Sequence, residues 1–299
     1  MRVVVTGGTG FLGRALVGAL AGRGAEAVVV TRDPSRAGFP PGARGIGWDG
    51  LATALDGADA VVNLAGETIA QRWTTAAKSR IVGSRAQAAE RVGAALRASK
   101  NPPAVLVNAS AVGFYGSRGD EELTEESPSG SGFLAETTLA WERAAREAVP
   151  DDVRLVLLRT GVVLDAAEGA LARMLLPFRL GLGGPLGSGR QWMPWIHRDD
   201  LVALLLAALD DARYEGPVNG TAPGPVPMRV FAAALGRVLR RPAFAPAPAF
   251  AIRAAMGEMA ALVLDGQRAL PAKALALGFR FRFPDLEPAL RDLLAPDRG

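Results

Sequence analysis

Chemistry in this chain has few residues to draw on. Its 299 residues include one histidine (His197), two tyrosines (Tyr115 and Tyr214), three lysines (Lys78, Lys100 and Lys273) and no cysteine. Without cysteine there is no disulfide, thiolate zinc site, iron–sulfur cluster or cysteine nucleophile. One histidine excludes a two-histidine metal centre, so no metal site is expected, and any Ser-His-Asp triad would have to run through His197. Against this scarcity stands Thr6-Gly7-Gly8-Thr9-Gly10-Phe11-Leu12-Gly13, set between an apolar run and a helical pattern. Glycines at 7, 10 and 13 supply a tight turn, let the backbone approach a pyrophosphate, and let the following helix pack closely. The helix start then offers unpaired N–H groups and the positive end of its dipole to the phosphates. Gly7, Thr9, Gly10, Phe11, Leu12 and Gly13 are therefore the expected cradle of a dinucleotide.

The next strand selects between dinucleotides. An acidic residue at its end would hold a ribose 2′-OH and favour NAD. Here Thr31-Arg32 follows Ala27–Val30. A guanidinium can pair with a 2′-phosphate and stack on adenine, and Thr31 adds a hydroxyl. The expected cofactor is NADP. NAD remains the alternative, because a shift of one residue would bring Asp33 to that place.

These groups need a scaffold, and the hydropathy pattern predicts one. Short apolar strands at Val3–Val5, Ala27–Val30, Ala60–Leu64, Ala104–Ala109 and Leu155–Thr160 alternate with helical stretches at Phe11–Ala21, Leu51–Leu55, Ile81–Ala98 and Phe133–Ala148. Near-continuously apolar strands separated by helices predict an α/β fold, a doubly wound parallel sheet covered on both faces. Beyond residue 165 the texture changes without a linker. Helices are expected at Leu171–Leu180, Asp199–Leu209, Arg229–Leu239 and Ala249–Leu264, and a short strand at Val218-Asn219. Phe279, Phe281 and Phe283 alternate with arginines, as in a half-exposed strand. Residues 1–165 are thus expected to form the dinucleotide-binding part, and 166–299 a smaller substrate-side region partly interleaved with it.

Charge adds exclusions. With 34 Lys+Arg against 30 Asp+Glu the net charge is +4, and no basic run exceeds Arg240-Arg241. A mixed solvated surface without a nucleic-acid patch is expected. The first apolar run begins at Arg2, leaving no room for a cleaved leader, and the apolar run Leu201–Leu209 is too short to span a bilayer. A cytoplasmic protein without a membrane partner is the resulting expectation. The acidic stretch Asp120–Glu126 lacks the spacing of a calcium loop.

Four segments together resemble the extended short-chain dehydrogenase/reductases: the Gly-rich turn, Asn63-Leu-Ala-Gly-Glu67, Asn108-Ala-Ser-Ala-Val-Gly-Phe-Tyr-Gly116 and Trp195-Ile-His-Arg-Asp-Asp200. Arg72-Trp73, Ser84-Arg85, Phe178-Arg-Leu-Gly-Leu-Gly-Gly-Pro185 and the stretch from Asp265-Gly-Gln267 to Phe283-Pro-Asp-Leu286 are similar to an atypical branch. That branch is the NAD(P)-dependent epimerase/dehydratase-like proteins of unknown substrate, sometimes described as cell-division inhibitor-like. The resemblance implies a Rossmann-type domain with a small substrate-side domain, Asn63, Leu64, Ala65 and Gly66 lining the cofactor, and Ser110 at the catalytic hydroxyl position. By family analogy it also suggests a homodimer.

One feature of the superfamily is missing. Its acid/base Tyr, tuned by a Lys four residues on, has Phe133 and Thr137 at the matching places, and neither tyrosine of the chain has a lysine at that spacing. Tyr115, on the loop leaving the Ser110 strand, is the replacement candidate, ahead of Lys78 (read as an exposed helix lysine) and Glu67. His197 reads as a buried residue at a strand–helix junction, with Asp199 capping the helix. Two functions follow. One is an NADP-binding oxidoreductase or epimerase-like enzyme acting on a small polar, sugar-like substrate. The other is a cofactor-loaded regulatory or redox-sensing protein without turnover.

Overall fold

The computed structural model describes residues 1–35 and 38–295. The chain runs through β1 (Arg2–Thr6), α1 (Phe11–Gly22), β2 (Glu26–Val30), β3 (Ala43–Ile46), α2 (Leu51–Leu55), β4 (Ala60–Asn63), α3 (Thr75–Ala98) and β5 (Val105–Ala111). A two-residue strand, β6 (Glu122–Leu123), precedes α4 (Phe133–Ala148) and β7 (Arg154–Thr160). Then come β8 (Val162–Leu164), α5 (Gly169–Arg179), β9 (Trp192–Met193), β10 (Trp195–His197), α6 (Arg198–Asp210) and β11 (Gly216–Gly220). The chain closes with β12 (Val226–Pro227), α7 (Met228–Leu239), α8 (Ala249–Met256), α9 (Ala261–Leu264), β13 (Arg268–Ala269), α10 (Ala272–Ala276) and α11 (Leu286–Leu293).

Seven of these strands form one sheet in the order β11-β7-β5-β4-β1-β2-β3, every pair parallel. Side chains alternate across it as strand geometry requires. Val3, Val5, Val29, Val62 and Leu158 join Leu16, Leu20, Leu201 and Leu205 on one face. Val4, Val28, Val61 and Leu106 meet Leu55, Val92 and Leu96 on the other. Both faces are buried under helices, which is why the strands read as unbroken apolar runs. A second core around Phe178, Trp195, Phe231, Phe283 and Leu290 unites α5, α7, α11 and β10.

Strand order reverses between β1 and β4, the place where open α/β sheets bind ligands at strand C-termini. Thr6 and Asn63, the last residues of these strands, are register partners. Residues well past 165 return to this sheet: β11 pairs with β7, and α6 lies in the same core as α1.

The structure departs from the sequence expectations in places. β3 was not expected, because Ala43-Arg44-Gly45-Ile46 carries a charge and a glycine; among the described residues it is an edge strand paired only with β2. α3 begins at Thr75, six residues early, because the Thr74 hydroxyl accepts from the Ala77 N–H (3.2 Å) and caps it. The helix expected over Ala249–Leu264 is broken at Gly257, whose φ of 61° is left-handed. Phe279, Phe281 and Phe283 form no strand. The N–H groups of Arg282 and Phe283 donate to the Asp200 carboxylate (2.8 and 2.9 Å), so they are not available to a ladder. Phe279 packs edge-on against Phe281 at 4.8 Å, and Phe283 stacks on His197 at 4.1 Å.

Candidate functional site

The three glycines of the first turn have different duties. Gly7 has φ 68°, and a Cβ there would lie 2.7 Å from the Leu64 carbonyl carbon. A Cβ at Gly13 would lie 2.3 Å from the Gly7 oxygen. Both are demanded by the fold: one lets β1's turn press on the chain leaving β4, the other lets α1 press on that turn. Gly10 is different. Its Cβ would meet only the Gly7 oxygen, at 3.2 Å, and otherwise points into open space. Gly10 is also the N-cap of α1, with no capping side chain among the described residues. The first turn of α1 is thus left without a protein side chain at its cap and with room above it, at the switch point of the sheet, an arrangement suited to a diphosphate. Arg14 braces the turn by donating to the Thr9 oxygen (2.6 Å) and pairing with Glu168. Phe11 reaches toward Gly169 on the same side.

At the end of β2, Thr31 donates its N–H to Ile46 (2.9 Å) and its hydroxyl accepts from the Asp33 N–H (3.3 Å). The Asp33 carboxylate accepts from Ser35 (2.7 Å), whereas Arg32 is exposed and close enough to help hold the Glu67 carboxyl below its usual range. At the end of β4, Asn63 is fully buried. It accepts from Thr6 (2.5 Å), donates to Asn108 (2.6 Å) and accepts from the Ala65 N–H (3.4 Å). This amide chain ties the ends of β1 and β4 to β5 at the floor of the crevice. Leu64, Ala65 and Gly66 follow it, with Gly66 exposed and beside the Arg85 side chain.

Both hydroxyls expected to do chemistry are committed to partners inside the protein. Ser110 donates to Glu142 Oε1 of α4 (2.6 Å) and is buried. Glu142 also accepts from Arg159 Nε (2.8 Å) and Nη2 (2.9 Å). Arg159 donates to the Tyr115 hydroxyl (3.0 Å), which donates to Asn219 Oδ1 (2.7 Å). Glu125 closes the cluster by accepting from the Asn219 and Lys273 N–H groups (2.9 and 3.2 Å). Tyr115 is fully buried, and burial pushes its phenol above the ordinary value, only partly offset by Arg159. That is the opposite of the shift an acid/base working near neutrality needs.

The direction can be checked by alkaline titration. Burial raises both tyrosines of the chain, Tyr115 and Tyr214. Phenolate absorbance of the folded protein is therefore expected only above about pH 10. Since the fold favours the neutral phenols, this stabilisation is complete below the unfolded-state value and is lost as pH climbs through the raised one. A phenolate forming near neutrality in the native protein would restore Tyr115 as a base.

Sequence reasoning did not anticipate Glu142, Arg159, Glu125 or Asn219. The signal was present in Arg159, a lone charge in the otherwise apolar Leu155-Val-Leu-Leu-Arg-Thr160 run. Where a Tyr-Lys dyad would stand, Phe133 packs edge-on against Trp73 (4.8 Å), with the Lys78 ammonium 5.1 Å from its ring centroid. Lys78 pairs with Glu258, which comes from the far end of the chain, so it is not simply a solvated helix lysine. Among the described residues the buried Thr137 hydroxyl finds no hydrogen-bond partner. Glu67 accepts from Gln71 (3.1 Å) and Arg80 (3.2 Å), which hold its carboxyl low. His197, fully buried, itself caps α6 through Nδ1, which accepts from the Asp199 N–H (3.0 Å); Asp199 is not the cap. Trp192 donates to Asp120 (2.7 Å) and Trp195 is core. Among the described residues no cluster of metal-ligating side chains occurs.

Comparison with known proteins gives the family and the overall fold. Residues 3–219 match the NAD dependent epimerase/dehydratase family, and residues 247–293 match a domain of unknown function. The epimerase family protein SDR39U1 homolog, chloroplastic, of Arabidopsis thaliana is 44% identical over 98% of this chain and 87% of its own. The epimerase family protein YfhF of Bacillus subtilis is 40% identical over 99% and 98%. The crystal structure of human epimerase family protein SDR39U1 with NADPH superposes with a TM-score of 0.90, at 41% identity, covering 98% of this chain and 99% of that one.

Proposed function

The chain belongs to the NAD dependent epimerase/dehydratase family, and on that premise we propose that it binds NADP(H) at the β1–α1 turn as an oxidoreductase or epimerase-like enzyme. The observation that carries the cofactor is the uncapped start of α1 under the open space at Gly10. The amides of Phe11, Leu12 and Gly13 would face the diphosphate, and Leu64, Ala65 and Gly66 the part beyond the adenosine. Arg32, exposed while Asp33 is engaged by Ser35, would meet a 2′-phosphate, which supports NADP over NAD. The NADPH of the human relative supports the same choice. A bound nicotinamide would supply hydride exchange with a small polar, sugar-like substrate.

Ser110 and Tyr115 then act by position. Through Glu142 and Arg159 they lock the ends of β5 and β7 to α4, and so hold the crevice floor. A second reading, a nucleotide-bound regulatory protein without turnover, is favoured by the same observation, since neither hydroxyl is free for substrate.

Titration of the protein with NADPH and NADH, followed by a carbonyl panel, tests both. Tighter NADPH binding with oxidation of bound NADPH by some member of the panel is expected. Tighter NADH binding overturns the NADP assignment. Tight NADPH binding with no oxidation across the panel leaves the regulatory reading in its place.

A further inference from the structure

Charge in this chain is unevenly placed once it folds. Residues 169–198 carry four arginines and residues 216–257 carry five, and neither segment contains an Asp or Glu, while the rest of the chain is net acidic. The fold brings parts of the two segments side by side. The Ala245 N–H donates to Gly183 O (3.2 Å), Ala247 N–H to Pro185 O (3.0 Å) and Gly187 N–H to Ala247 O (2.9 Å). Leu182 and Phe244 therefore sit on adjacent, paired stretches. Both face solvent, at 68% and 80% exposure, together with Leu176, Leu180 and Phe250 at 65%, 64% and 75%. Leu176 and Leu180 lie one turn apart at the end of α5, and Gly181 abuts Pro242. Arg173, Arg179, Arg240 and Arg241 are exposed around them, and a recess of about 400 Å³ opens between Gly236, Arg237, Arg240, Arg241 and Ala243.

We propose that this face docks on an anionic membrane surface, its leucines and phenylalanines entering the interface and its arginines meeting lipid phosphates. Five large apolar side chains this exposed are unusual unless something covers them. Aliphatic and aromatic groups beside exposed arginines, on two segments that themselves carry no Asp or Glu, match the interfacial pattern of a peripheral membrane protein. Of the arginines at the recess, Arg237 is engaged by Glu287 (2.9 Å), so Arg173, Arg179, Arg240 and Arg241 are the ones to meet phosphates. A second copy is a poorer occupant, because a two-fold contact would set this arginine face against itself. Nucleic acid would use the arginines but leave Leu176, Leu180 and Leu182 without a role. Among the described residues no helix is long and apolar enough to cross a membrane, so the attachment is to one surface.

The test is co-sedimentation of the full chain with phosphatidylcholine vesicles made with and without phosphatidylserine. Binding is expected only with phosphatidylserine, and release is expected at high salt. The double substitution Phe244→Ser with Phe250→Ser removes two exposed side chains, so the melting temperature should hold while the partition coefficient falls about tenfold or more. Equal binding to both vesicles, no binding to either, or binding indifferent to the double substitution would each overturn the proposal. So would a concentration-dependent dimer that the substitutions abolish without changing vesicle binding.

Discussion

Gly10→Val is expected to abolish dinucleotide binding while leaving the fold standing. A side chain at position 10 enters the open space above the first turn of α1, meeting only the Gly7 oxygen at 3.2 Å. The backbone there is extended (φ −78°, ψ 175°), which a β-branched residue adopts readily. The stability cost should stay near the few tenths to about 1 kcal/mol that separate good and poor N-cap residues. A diphosphate seated on the α1 amides would collide with the isopropyl group, and affinity for NADPH should fall by about 100-fold or more, about 2.7 kcal/mol. Gly13→Val is the contrasting control. Its Cβ would lie 2.3 Å from the Gly7 oxygen and 2.6 Å from Gly8 Cα, so the α1–turn contact must open and the protein itself should be destabilised. Calorimetric titration with NADPH, beside a thermal melt without it, separates the two effects. Undiminished affinity in Gly10→Val would place the phosphates elsewhere and remove the basis of the proposed function.

The contrast between these glycines shows what could be read without a structure. The β1–α1 turn was legible because its signal is local, a strand, a spaced glycine set and a helix start within a dozen residues, even though Gly7 is demanded by the distant Leu64 backbone. The helix Phe133–Ala148 was likewise written in its own periodicity, and its ends match the structure. Ser110 was placed correctly at a strand end, but the direction of its hydroxyl depends on which sheet face carries α4. That is set by pairing of β5 with β7 and by a carboxylate 32 residues away. Tyr115 looked available on a loop, yet its partner Asn219 lies 104 residues downstream. The arginine-rich face was invisible for the same reason. Counting charge by halves and by runs averages over two segments that only the fold sets side by side. Lys78 with Glu258, 180 residues apart, is a fourth instance.

The Glu142–Arg159 pair should prove the most costly of these long-range contacts to break. Both side chains are nearly inaccessible, at 3% and 4% exposure, and two hydrogen bonds of 2.8 and 2.9 Å join them. Glu142→Ala leaves a buried guanidinium without its counter-charge and the Ser110 hydroxyl without its acceptor. The expected loss is about 3–5 kcal/mol, a large fraction of a domain's stability. Most of that cost comes from the stranded charge, not from the net worth of the pair. The double substitution Glu142→Leu with Arg159→Leu removes both charges together, so it should be less destabilised than Glu142→Ala alone. The recovery should be incomplete, because Tyr115 loses the Arg159 donor and Ser110 still loses its acceptor. Urea unfolding of the two variants and the parent, compared through midpoint and slope, gives the numbers. If Glu142→Ala cost less than about 1 kcal/mol, solvent would have to reach Arg159 in the folded protein. The buried network would then not be what holds the ends of β5 and β7 against α4. Because β5 also carries Asn108, which accepts from Asn63 at the end of β4, a loosened network should also weaken NADPH binding in Glu142→Ala, and the double variant should regain part of it.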